Sequence, residues 1–264
     1  MPSFLSTTVA VPSARRQLLA ALVLLPLVHA LPATAATVLK DKARSAMVAF
    51  DAVYIPALFL TGSAGKSADG PAKAEAAMTR LLTDWASRRA GLVAAVPGAK
   101  VWTDALGKVG RHLTEAGQQV ASRRWEESHA TLEHVREAMF EARHALGVDY
   151  ALDHYTAYHG AMEALANATT VQRPAMEADF AKARALWRGL EQVTIDPAAY
   201  GLSAPRQAQL VKALADEALS RLSSALRGAS DADLLKAAAA LKPPFVRAYV
   251  AFGWAPGESP VLPG

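Results

Sequence analysis

The 264-residue chain is 52% hydrophobic but only 7% aromatic, and carries 28 Lys and Arg against 24 Asp and Glu. The positive excess is small and forms no basic block, so nucleic acid is not an expected partner. The absence of cysteine excludes disulfides, thiolate metal sites and covalent c-type haem attachment. Any cofactor must be held by His, Met, Asp, Glu or Tyr.

Residues 1–35 read as a cleaved signal peptide: a basic element at Arg15-Arg16, an apolar run from Leu18 to Val28, and the small-residue site Ala33-Thr34-Ala35. Pro26 and Pro32 interrupt a run already short for a bilayer, so no permanent membrane span is expected and the mature chain is assigned to the periplasm. The string from Ser13 to Leu19 resembles a twin-arginine export signal, departing from it in having Ala14 directly before the arginines. General secretion and twin-arginine export both stay open.

The mature part is rich in Ala and Leu, which favour closely packed helices. Offset against itself, it aligns Tyr54–Leu58 with Tyr158–Met162, Leu82–Trp85 with Arg184–Trp187, and Phe140–Gly147 with Phe245–Gly253. Prolines and glycines break both halves at matching places, with Pro71 answered by Pro174 and Pro97-Gly98 by Pro197. The expected fold is all-α: internally duplicated antiparallel four-helix units, as two four-helix bundles or one eight-helix array.

The first repeat, 36–148, should hold helices over 38–60, 71–95, 99–122 and 124–147. The second, 149–255, should hold them over 149–168, 174–193, 204–227 and 230–253, with Pro243-Pro244 kinking or restarting the last. A disordered tail over 256–264 would follow. Trp102, Leu106, Val109, Leu113, Ala116 and Val120 alternate four and three apart, as the buried stripe of a bundle helix does.

Six of the 7 histidines belong to the mature chain, and all fall between His112 and His159. Glu126 with His129 and Glu141 with His144 match a Glu-x-x-His spacing, but Glu126, Glu141 and His144 lie on the outward face of their helix and read as a solvated charged face. His154 reads as a hydrogen-bonded core residue, and Tyr54, Tyr158, Trp85 and Trp187 as packing residues at helix crossings.

His129 and Glu133 are four apart, as are His159 and Glu163 on the next helix, so each pair shares one flank beside its apolar stripe. A hairpin turning near Gly147-Val148 brings the two flanks together. Two imidazoles and two carboxylates suit Fe, Zn or Cu, and Met162 adds a soft ligand favouring copper or a non-covalent haem. Against this stands the plain alternative of two ordinary intrahelical pairs.

The sequence thus points to a periplasmic bundle binding a metal ion (Fe, Cu or Zn) or non-covalent haem through His129, Glu133, His159, Glu163 and Met162 at the junction of the repeats. The alternative is a cofactor-free scaffold, chaperone or adaptor for a periplasmic or inner-membrane protein partner. An enzyme ranks last, since no acid, base and nucleophile can be named together, and no phosphate loop, nucleophile elbow or zinc-protease helix occurs.

Overall fold

A computed structural model describes residues 33–192, 198–200 and 214–253. The expected leader before residue 33, the tail over 256–264 and the start of the helix expected over 204–227 lie outside the described residues.

Among the described residues there is helix and no strand. The helices are α1 (Ala33–Ser63), α2 (Gly70–Ala95), α3 (Lys100–Ala121), α4 (Trp125–Ala145), α5 (Ala151–Ala166), α6 (Arg173–Glu191), α7 (Ser220–Leu226), α8 (Asp231–Ala239) and α9 (Lys242–Val250). A π turn, Leu214–Leu219, leads into α7. They belong to a compact unit that begins at Ala33.

α1 to α4 close on themselves: α1 packs on α2 and α4, and α3 packs between α2 and α4. The expected stripe of α3 is buried at every position, and Trp102 at its start donates its indole N–H to the Leu92 carbonyl of α2 at 2.7 Å. α5 leans on α4, pairs with α6 and is covered by α8 and α9, while α9 reaches back to α1. The stretch Asp41–Lys66 is long and apolar enough to cross a membrane, but half of its most apolar window is buried inside the protein. Packing against α2, α4 and α9 accounts for that apolarity.

Two chain reversals position the interior between these groups of helices. α4 ends in a Schellman turn, with Gly147 at φ 61° and the Val148 N–H returning to the Arg143 carbonyl at 3.0 Å. This turn lays α5 antiparallel along α4. Near the C-terminus, Pro243 and Pro244 fall in the first turn of α9, where a missing N–H costs nothing, so the chain stops at Ala239 and restarts at Lys242. Ser230 caps α8, its hydroxyl accepting the Asp233 N–H at 3.2 Å.

Polar side chains join α4 to α5 and α1. Arg143, 3% exposed, grips Asp153 through Nε and Nη2 at 2.5 to 3.0 Å and lies over the Tyr150 ring at 4.5 Å. Tyr150 in turn donates a very short hydrogen bond to the buried Asp51 carboxylate of α1. Removing the guanidinium takes away the cation beside the buried Asp51 and the partly buried Asp153. Arg143→Ala is therefore expected to destabilise the protein by about 3–5 kcal/mol in urea unfolding, whereas exchange of the exposed Arg89 for Ala should change it by less than about 0.5 kcal/mol.

Candidate functional site

The seam between α1, α4, α5 and α9 holds a cavity of about 600 Å³ that is partly open to solvent. Its apolar wall comes from Ile55, Leu58 and Phe59 of α1 and from Phe245, Val246 and Val250 of α9. Its polar wall comes from α4 and α5: His129, Glu133 and Arg136 on one side, His159 and Glu163 on the other. Lys242 and Arg247 of α9 and Lys66 after α1 complete the lining.

His129, Glu133, His159 and Glu163 therefore converge, and the i,i+4 spacings bring each pair into contact. His129 Nε2 lies 3.6 Å from Glu133 Oε1, and His159 Nε2 lies 3.5 Å from Glu163 Oε1. Met162 does not line the cavity; it is 0% exposed within the core. The other histidines lie elsewhere. His134 and His144 are exposed on the outer face of α4, as are Glu126 and Glu141, and the His112 and His134 rings lie 5.5 Å apart, tilted by 41°. His154 departs from the core position expected of it: its side chain is 35% exposed and faces Asp149 at 3.7 Å. Asp153 beside it is the residue held inward, by Arg143.

The residue missed from the sequence is Arg136. Its side chain, 6% exposed, is ion-paired with Glu133 and donates from Nη2 to His159 Nδ1 at 2.8 Å. Its guanidinium also sits over the Tyr249 ring of α9, 5.6 Å from the centroid. Across the seam Lys242 Nζ holds Glu163 Oε1 at 2.8 Å. Both carboxylates thus already have cationic partners, one on the same helix and one from α9.

These bonds fix the two imidazoles in opposite tautomers. Leu58 offers a carbonyl to His129 Nδ1 at 2.8 Å, so Nδ1 carries the proton and Nε2 keeps its lone pair. Arg136 can only donate, so His159 Nδ1 must accept and its proton sits on Nε2, toward Glu163. Gly62 makes room for the first ring: a Cβ there would lie 2.8 Å from His129 Nδ1.

Electrostatics follow the same division. Burial, reinforced by the Arg136 guanidinium, holds His159 well below the ordinary imidazole range, and burial lowers His129 as well. Burial works against ionisation of Glu163, but the Lys242 hydrogen bond and the neighbouring His159 hold its carboxyl below the ordinary value. Both histidines are accordingly neutral at pH 7 and Glu163 is charged. Among the described residues, no three His, Asp or Glu side chains come together in a group suited to a metal ion.

No known protein family, characterised protein or solved structure matches the chain.

The buried groups set opposing pH responses. An unfolded histidine takes up its proton near 6.5, whereas folded His159 stays neutral, so lowering the pH below that value costs stability. Burial pushes Asp51 up to about 6 from 3.8, so between those values the folded chain keeps a proton that the unfolded chain loses, and lowering the pH adds stability. In urea unfolding between about pH 4 and pH 7, His159→Gln should flatten the loss on acidification, and Asp51→Asn should steepen it.

Proposed function

We propose that this chain is an exported, periplasmic helical-bundle protein that binds a small organic molecule in the cavity between α1, α4, α5 and α9. The observation that carries the reading is one partly open cavity with an apolar wall on one side and convergent polar groups on the other. Its volume falls in the range that holds drug-sized ligands, roughly 300–1,000 Å³. Binding is preferred to catalysis because, among the described residues, neither His129 nor His159 is hydrogen-bonded to a nucleophilic side chain, and each carboxylate is paired with Arg136 or Lys242.

A bare metal ion held by the whole quartet is disfavoured. It would have to displace a guanidinium and an ammonium, and to reverse the tautomer that Arg136 imposes on His159. One feature keeps a second reading in play: a non-covalent haem, or an iron, copper or zinc ion, on His129 alone. Its Nε2 lone pair is free while Nδ1–H is anchored on a backbone carbonyl, the second-shell bond usual for a ligating imidazole. A scaffold or adaptor role would leave the cavity empty.

The internal duplication belongs to the same proposal. It is supported by α1 pairing with α2 as α5 pairs with α6; each tryptophan also meets an aromatic of its copy's first helix, at positions one turn out of step in the alignment, since Tyr54 and not Phe50 answers Tyr158. Phe50 lies 5.7 Å from Trp85, and Tyr158 lies 5.4 Å from Trp187. On this view the cavity formed where the two copies meet.

The test is native mass spectrometry, with metal analysis and a visible absorption spectrum, of protein purified from its own source. The organic-ligand reading expects a stoichiometric small molecule that is lost in the cavity-filling variant Val246→Trp while helicity is kept. The haem or metal reading expects iron, copper or zinc lost in His129→Ala. Protein carrying neither would contradict both and favour the scaffold.

A further inference from the structure

The cavity's own charges say what kind of molecule it takes. Glu133 and Glu163 are its two acidic residues, and Arg136 and Lys242 answer them. Lys66 and Arg247 also line it, and neither has an acidic partner among the described residues. With both histidines neutral, two cations are left unanswered beside an apolar wall. Arg136 adds a further sign: its Nε–H is buried without a hydrogen-bond partner among the described residues, the side chain is more than nine-tenths buried, and the residue is part of the cavity lining. A buried donor left unmade is costly, and an acceptor supplied by a ligand, directly or through a water, relieves it.

Resting on the reading of this cavity as a ligand site, we infer that the ligand is an amphipathic organic anion, a carboxylate with an aliphatic or aromatic body. The apolar body lies against Leu58, Phe59, Phe245 and Val246, where it is removed from water. The headgroup faces Lys66, Arg247 and the edge of Arg136. Carboxylate is the headgroup that matches a planar guanidinium by shape as well as by charge. An organic cation would meet the same field with the wrong sign, and a neutral alcohol would gain no attraction from either cation.

The experiment is isothermal titration calorimetry of the protein, freed of any bound molecule by partial unfolding and refolding, with three probes of one chain length: octanoate, 1-octanol and octylammonium. Octanoate should bind at one per chain, at least about tenfold tighter than 1-octanol, with octylammonium weakest. In the double variant Lys66→Gln, Arg247→Gln, octanoate affinity should fall about tenfold and 1-octanol affinity should not change; both side chains are exposed, and 1-octanol reports an intact cavity. Equal affinity for octanoate and 1-octanol, or a preference for octylammonium, would overturn the anion assignment while leaving the cavity as a binding site. Failure of all three to bind would overturn the assignment too, and the native protein's own content would then judge the cavity separately.

Discussion

A single buried guanidinium organises the seam of this protein. Arg136 stands on α4 one turn after Glu133, and its planar head reaches both that carboxylate and His159 of α5. Taking a charge out of water is expensive, and the cost is offset only where geometry supplies partners on several sides. Here they are a carboxylate, an imidazole lone pair and the face of Tyr249, drawn from three helices. The arginine therefore determines how α4, α5 and α9 meet, and it sets the tautomer, and so the chemistry, of the imidazole beside it. The guanidinium already engages Glu133 and His159, two of the four side chains that a shared metal ion would need.

The rest of the fold brings groups to that point. The Schellman turn at Gly147 sets α5 antiparallel to α4, so that Arg143 meets Asp153 near the turn and Arg136 meets His159 farther along. The proline pair restarts the chain as α9, which puts Lys242 against Glu163 and lines the cavity with Phe245 and Val246. Gly62 lets α1 pass close to the His129 ring, whose Nδ1 then reaches the Leu58 carbonyl. Behind the site, a void of about 10 Å³ bordered by Asp51, Arg136, Arg143 and Tyr249 separates the two buried arginines. That is close to the space one water needs.

Much of this architecture was legible in the sequence, for physical reasons. The α3 stripe and the prolines and glycines between segments located α2, α3 and α4 to within about two residues, because burying one face of a bundle helix leaves a periodic signature and every turn needs a breaker. The proline pair showed where the last helix would restart. The four-residue spacings, with a hairpin at Gly147, implied that His129, Glu133, His159 and Glu163 would converge. Arg136 was missed because arginine is ordinarily a surface residue. A signal for it existed: His129, Arg136 and Arg143 stand seven apart, a polar flank two turns in period facing α5. Lys242 was out of reach, since its partner Glu163 is 79 residues away in sequence. His154 was misjudged because its neighbour Asp153, not the histidine, found the buried cation.

Nitrogen-15 NMR of the histidine rings at neutral pH tests the central claim most directly, because the Arg136 bond and a ligating role for His159 demand different ring states. The His159 ring should be neutral, with its proton on Nε2 and a bare, hydrogen-bonded Nδ1, beside a neutral His129 ring with its proton on Nδ1. A His159 ring protonated at Nδ1, or charged at both nitrogens, would contradict it.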